Sequence, residues 1–487
     1  MPPDAPTPAR PTPPKLDPVR VPIREEPPAQ RTEDFRPILR GYTREEAVLE
    51  AKRCIRCRRP WCVEACPITQ DCREYIVQIA EGNFDEAARV TVRDDPLANT
   101  LCKVCYRYCE DSCVISKKGI PIAIRHLKRA ALEHGKGDLV YVPSRPTGQR
   151  VAVVGAGPAG LMAAWELGLR GYGVTVYEAE PEPGGLLRTI PAYRMSEEDL
   201  DADRARFRDL DVTFVTDHRV GTDGSAVELL REGYAAVLLA VGTPSHRELG
   251  LPGETREGVL PALSFLREAR AGRPLPLGKQ IVVVGGGDVA MDSVRTALRL
   301  SPGAEVTLVY RRGREEMPAD AEEVHEAEQE SVRFLFRRAP VGLVGLSQIE
   351  GLVVRSVELG PPDESGRRQP VPVPGSEETI PCDTLIVAVG QKADLDGLGT
   401  GLDLALAPQG WPEGRGPGFA TGVEGVYAVG GRSVVHAMGA ASEAAQAIDA
   451  YLCARRGSAP GPRPDPFGGP EPTRLPKGYT APIRKRK

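Results

Sequence analysis

Nine of the eleven cysteines lie between Cys54 and Cys113, and their spacing defines the first chemistry open to this chain. One group runs Cys54-x2-Cys57-x4-Cys62-x3-Cys66-Pro67 and another Cys102-x2-Cys105-x3-Cys109-x3-Cys113, with Cys72 between them. Thiolates at such short intervals enclose iron–sulfur clusters. A Cys-Pro closing the first run is the pattern of two-cluster segments, in which the last cysteine of a run serves the other cluster. A disulfide framework does not suit a chain of 487 residues with an odd number of cysteines and no signal peptide. Structural zinc fits less well than clusters. Zinc ribbons pair CxxC units about 15–20 residues apart, whereas Cys57 and Cys102 are much farther apart, and the thiols outnumber what one tetrahedral zinc takes.

Two glycine-rich segments carry a second chemistry. Val151–Val154 reads as a buried strand, followed by Gly155-Ala156-Gly157-Pro158-Ala159-Gly160 and an apolar-periodic helix to about Arg170. The strand Val174–Glu178 then ends in an acid, 23 residues after Gly155. This is a dinucleotide fingerprint in its proper βαβ context: glycines for the turn, for approach of the pyrophosphate and for helix packing, and Glu178 for the ribose hydroxyls. The unit recurs as Ile281–Val284, then Gly285-Gly286-Gly287-Asp288-Val289-Ala290, a helix through Leu300 and a strand to Tyr310. Here the acid is replaced by Arg311-Arg312. Arginine donors suit a 2′-phosphate that a carboxylate would repel, so this site favours NADPH over NADH. A solvated strand end is the alternative reading of Arg311 and Arg312.

These motifs need three different frameworks. Thr43–Glu46 is a capping box opening a helix that runs into Cys54, and further helices are expected over 73–81, 84–93 and Pro121–His134. Residues 33–146 therefore read as a helical iron–sulfur domain. The segments Ala235–Gly242 and Asp383–Gly390 are alike, each a buried strand ending in glycine, as expected of crossings between an FAD domain and an inserted NAD(P)H domain. The expected class is α/β: FAD in 147–247 with 390–455, NADP(H) in 248–389, and the helical domain ahead of both. Residues 1–32 and 456–487 are rich in proline and read as solvated tails, with arms that order on a partner as the alternative. A net charge of −4 predicts no nucleic-acid partner, and the lack of an apolar run of about 18 residues predicts no membrane span and a cytoplasmic protein.

Taken in order, the cysteine domain, Gly155–Gly160, Pro183-Gly184-Gly185-Leu186 through Arg194, Gly285–Asp292 and Tyr310–Pro318 make the chain resemble the glutamate synthase small-subunit family over roughly residues 38–455. That family includes the NADP-binding subunit of a ferredoxin–NADP oxidoreductase and the N-terminal part of dihydropyrimidine dehydrogenase. The resemblance implies FAD, NADPH and two [4Fe-4S] clusters, with electrons leaving to a larger redox subunit in a hetero-oligomer. It implies Cys54, Cys57, Cys62 and Cys113 around one cluster and Cys66, Cys105 and Cys109 around the other. The fourth ligand of the second is a glutamine in dihydropyrimidine dehydrogenase. The matching stretch here is Leu127-Lys128-Arg129, leaving Cys102 as the expected substitute and Cys72 as the next. Gly185, Leu186 and Arg194 are implied near FAD, as are Gly430 and Gly431, where the family's acid is missing and Arg432 is expected to meet the pyrophosphate. The scattered histidines read as structural, and no acid–base pair is evident. Hydride transfer between stacked rings needs positioning rather than a proton donor. The alternatives are a ferredoxin–NADP oxidoreductase or other diaphorase subunit, and a non-catalytic electron-transfer or assembly subunit.

Overall fold

The computed structural model describes residues 18–135, 139, 141–362, 368–408 and 410–467. The cysteine domain is helical because two of its segments carry side-chain caps and its longer helices bury one apolar face each. Thr43 accepts from the Glu46 amide while Glu46 accepts from the Thr43 amide, opening the helix Arg44–Ala51. Asp71 caps Cys72–Ala80, and Phe84–Asp94 and Ile124–His134 turn their apolar faces onto it. Tyr75, Ile76, Ile79, Phe84, Val90 and Leu127 form the resulting core.

Two parallel sheets follow. The first runs, edge to edge, Val426–Ala428, Ala236–Leu239, Arg150–Val154, Gly173–Tyr177 and Val212–Val215. The second runs Val259–Pro261, Thr384–Val387, Gln280–Val284, Glu305–Tyr310 and Arg333–Phe336. Val151–Val154 and Ile281–Val284 are buried throughout, as strands covered on both faces must be. The helices Pro158–Leu169 and Val434–Arg455 pack on the first sheet, so the chain returns after residue 425 to complete the domain it began at 150. The two crossings are tied together where Ser245–His246 pairs antiparallel with Gln391–Lys392.

An antiparallel sheet of Arg338–Val344, Gly351–Pro362 and Arg368–Pro381 was not expected from the sequence. Arg368–Pro381 is mostly exposed and rich in proline, and Gly351–Pro362 is only partly buried, so neither continuous burial nor clean alternation marks them.

The expected free tails are corrected at their inner ends. Arg20 pairs with the buried Glu110 at 2.6 Å and donates to the Ile122 carbonyl, while the Val21 amide donates to Glu50. Arg31 reaches Gln329 at 2.8 Å. At the other end Arg463 bonds Glu166 at 2.6 Å, and Phe467 packs on Tyr141. Buried carboxylates in the body of the protein, which need a cation, hold both segments down. Residues 1–17 and 468–487, the rest of the expected tails, lie outside the described residues. Among the described residues no helix is long and apolar enough to cross a membrane.

Candidate functional site

Cys54, Cys57, Cys62 and Cys113 line one cavity, walled by Ile55, Ile76, Ile115 and Ile122. Four thiols spread around an apolar hollow suit a polynuclear cluster better than one zinc. Burial pushes the Cys54 thiol up to about 11, Cys66 to about 12 and Cys105 to about 11. Thiols so disposed are poor nucleophiles, and they give up their protons when a metal takes the charge.

Cys66, Cys105 and Cys109 form a second set, each acting electrostatically on another. The helix Ala98–Val104 delivers Cys105, and it is pinned to the FAD domain by Asp203, which accepts from the Asn99 and Thr100 amides at 3.0 and 2.8 Å. The structure turns Cys102 away from this set. Its thiol donates to the Asn99 carbonyl at 3.0 Å, one helical turn back, and its main charged neighbours are Lys103, Lys128, Arg129 and Asp199. Cys72, buried at the first turn of Cys72–Ala80, belongs to the helical core against which Cys109 and Cys62 pack.

At the first fingerprint the three glycines answer to different constraints. Gly155 has φ +101°, and a Cβ there would lie 2.6 Å from the Ala240 carbonyl. A Cβ on Gly160 would overlap the Gly155 carbonyl oxygen at 1.8 Å, which is the close helix–strand approach. A Cβ on Gly157 would meet nothing, so its face is open at the N-terminus of Pro158–Leu169, where a pyrophosphate fits. Ala156 and Ala159 are buried behind it. Glu178 accepts from the Ala156 amide at 2.8 Å and so sits over the turn. The Gly184 amide donates to the Ala156 carbonyl at 2.9 Å, and a Cβ on Gly185 would come within 2.9 Å of Gly157. Gly185 and the half-buried Leu186 therefore border the same crevice. Val154, Leu239 and Ala428 stand in register, so Gly430 and Gly431 emerge at the same carboxyl edge as Gly155.

Arg194, which the resemblance implies near FAD, has its buried guanidinium bonded to Asp292 at 2.7 Å and Glu323 at 2.9 Å, bridging the two nucleotide domains. Burial holds Asp292 above the usual carboxylate range, at about 6, and Arg194 opposes this shift. Arg432 lies 3.0 Å from His436 and over the Tyr108 ring rather than toward the fingerprint.

The second fingerprint repeats the first. Gly285 would press a Cβ onto the Ala388 carbonyl at 2.4 Å and Gly286 onto the Tyr310 ring, whereas Gly287 opens outward at the start of Asp288–Leu300. Val289 and Ala290 follow in that helix, Ala290 fully buried. Asp288 accepts from the Asp320 amide at 2.9 Å and from the Tyr106 hydroxyl of the cysteine domain, and burial raises its pKa. The two arginines part company. Arg311 is exposed beyond the strand end, while Arg312 is buried and donates to the Arg368 carbonyl at 2.7 Å.

Residues not singled out from the sequence join these sites. Tyr108, beside Cys109, packs edge-on against His436 with ring centroids 4.8 Å apart, and Ser433 bonds the other side of that imidazole at 2.9 Å. A Cβ on Gly439 would lie 2.6 Å from the Pro67 carbonyl, so the helix Val434–Arg455 abuts the Cys66-Pro67 turn. Only the pattern of small residues in that helix hinted at such an approach.

A family profile described as dihydropyrimidine dehydrogenase domain II, 4Fe-4S cluster, matches residues 31–138, and one described as pyridine nucleotide-disulphide oxidoreductase matches residues 149–448. The chain is 36% identical over 395 residues to the glutamate synthase (NADPH) small chain of Halomonas elongata, covering 77% of this chain and 82% of that one. For the same protein of Azospirillum brasilense the identity is 33% over 455 residues, covering 88% and 94%. It is 39% identical over 425 residues to the NADP(+)-dependent formate dehydrogenase subunit beta of Moorella thermoacetica, where it takes in 80% of this chain and spans 60% of the relative. FprA of Mycobacterium tuberculosis in complex with NADPH shares the fold, with a TM-score of 0.54 at 22% identity over 66% of this chain and 88% of that one. Since the matches run through the cysteine domain as well as both nucleotide-binding sheets, the chain belongs to the glutamate synthase small-chain-like family of FAD and iron–sulfur NADPH oxidoreductases.

Proposed function

We propose that this chain is the NADPH-dependent subunit of a redox complex, passing electrons from NADPH through FAD and two [4Fe-4S] clusters to a larger partner. The observation that carries this reading is the serial placement of the thiols. Cys66, Cys105 and Tyr108 pack against the core of the FAD domain, Cys54, Cys62 and Cys113 pack against the helical core beyond it, and Cys109 packs on that helical core between the two sets. The outer set lies near the surface, where Trp61 lines its cavity and is 39% exposed. When bound, FAD supplies the conversion of a hydride into single electrons that iron–sulfur centres can carry.

The chain's own residues then have positioning work. Gly155–Gly160 with Gly185 would cradle FAD, with Glu178 at the ribose and Gly430 and Gly431 across the crevice. Gly285–Ala290 would take the NADP pyrophosphate, and Arg311 the 2′-phosphate. Cys54, Cys57, Cys62 and Cys113 would hold the outer cluster, and Cys66, Cys105 and Cys109 three corners of the inner one.

The relatives named above are small or beta subunits, which supports a larger redox partner such as a glutamate synthase large subunit. The likeness to a formate dehydrogenase subunit beta favours a second reading, a different dehydrogenase partner for the same module. Purified without oxygen, the chain should show flavin absorbance that NADPH bleaches. Bound flavin that NADPH leaves unbleached would defeat the proposal. The protein that co-purifies with the chain decides between the partners.

A further inference from the structure

The inner set has three thiols, and its fourth ligand is the open question. The stretch matching the dihydropyrimidine dehydrogenase glutamine, Leu127-Lys128-Arg129, includes Lys128, whose buried ammonium bonds Asp95 at 2.6 Å and lies near Cys105 and Cys66. An ammonium only donates hydrogen bonds and offers iron no lone pair. Cys102 points elsewhere, its hydrogen satisfied by the Asn99 carbonyl.

Cys72 stands where a ligand is wanted. It is 1% exposed and part of the helical core against which Cys109 packs, together with Cys54, Cys62 and Cys113. Cys62 already belongs to the four thiols lining the outer cavity, which Cys72 does not line. Cys109 is the partner that lacks a full set. We propose that Cys72 supplies the fourth thiolate of the inner cluster, completing Cys66, Cys105 and Cys109. The inference rests on the reading that the chain holds two [4Fe-4S] clusters.

Charge balance supports it. Replacing a neutral ligand by a thiolate adds one negative charge to a buried centre, and a lysine in the stretch matching the old ligand adds one positive charge. Lys128 lies near Cys66 and Cys105, where it would offset the extra thiolate, and Asp95 orients it from the far side.

Iron and sulfide counts with electron paramagnetic resonance on the anaerobically purified full chain test this. Wild type should carry about eight irons. Cys72→Ala should lose iron, by one atom with a [3Fe-4S] signal or by a whole cluster, while Cys102→Ala should match wild type in count and spectrum. Cys72→Ser, which keeps a ligating oxygen, should retain iron and shift the spectrum of one reduced cluster. Far-ultraviolet circular dichroism confirms that each variant is folded. A full iron count and unchanged spectrum in both Cys72 variants would overturn the inference, as would an equal loss in Cys102→Ala. Wild type without iron would instead defeat the broader reading.

Discussion

Single side chains at the second nucleotide site divide by burial. Arg311 is exposed at the strand end, whereas Arg312 is committed to the Arg368 carbonyl, so the 2′-phosphate argument now rests on Arg311. Arg311→Glu should raise the KM for NADPH at least about tenfold, the scale of one charged hydrogen bond, and leave NADH nearly unchanged. Steady-state kinetics with both cofactors checks this, and equal effects would refute it. At the first site Gly160 has no room for a side chain. Gly160→Val should cut flavin content several-fold, read from absorbance of the purified protein, because the methyls would strike the Gly155 carbonyl.

Among elements, the helix Val434–Arg455 bears on both cofactor regions. It begins beside the FAD crevice, touches the Cys66-Pro67 turn at Gly439 and presents His436 to Tyr108. Burial, together with the Arg432 charge, pushes His436 down to about 4 from its ordinary 6.5. A histidine held neutral in the fold binds fewer protons than its unfolded counterpart between those values. Its stability contribution is therefore complete above pH 6.5 and lost as pH falls toward about 4. Thermal denaturation should show His436→Gln with a flatter pH dependence than wild type across that window. Gly439→Leu should force the helix off Pro67, slowing reduction of cluster-dependent acceptors more than flavin reduction by NADPH in stopped-flow traces.

At the scale of the molecule, ion pairs join the domains that the electron path must align. Arg194 bridges from the FAD domain to Asp292 and Glu323, and within the second domain Arg295, fully buried, pairs with Glu323, Glu326 and Glu330. Removing Arg295 takes the ion-pair partner from Glu326, while Glu323 keeps Arg194 and Glu330 keeps Arg299. Arg295→Ala should destabilise the fold by about 3–5 kcal/mol in chemical denaturation. Arg194→Met should slow flavin reduction at saturating NADPH while both nucleotides still bind, since it loosens one domain against the other without touching either fingerprint.

The sequence by itself determined the local machinery: two fingerprints with their strands and helices, the cysteine runs, and the capping box before Cys54. Each is encoded within some 30 contiguous residues, where spacing and backbone demands leave few alternatives. It also marked the buried strands Ala236–Leu239 and Thr384–Val387, because apolar runs ending in glycine are legible as such. Tertiary structure alone decided which thiols face one another, since Cys72 and Cys109 lie on different helices and Cys102 is turned aside by a bond within its own. It likewise sent Arg194 to a neighbouring domain, drew the inner ends of both tails onto buried carboxylates, and set Tyr108 against His436. The physical reason is common to the last three: a buried charge or ring takes the partner that packing brings to it, and that partner is far away along the chain.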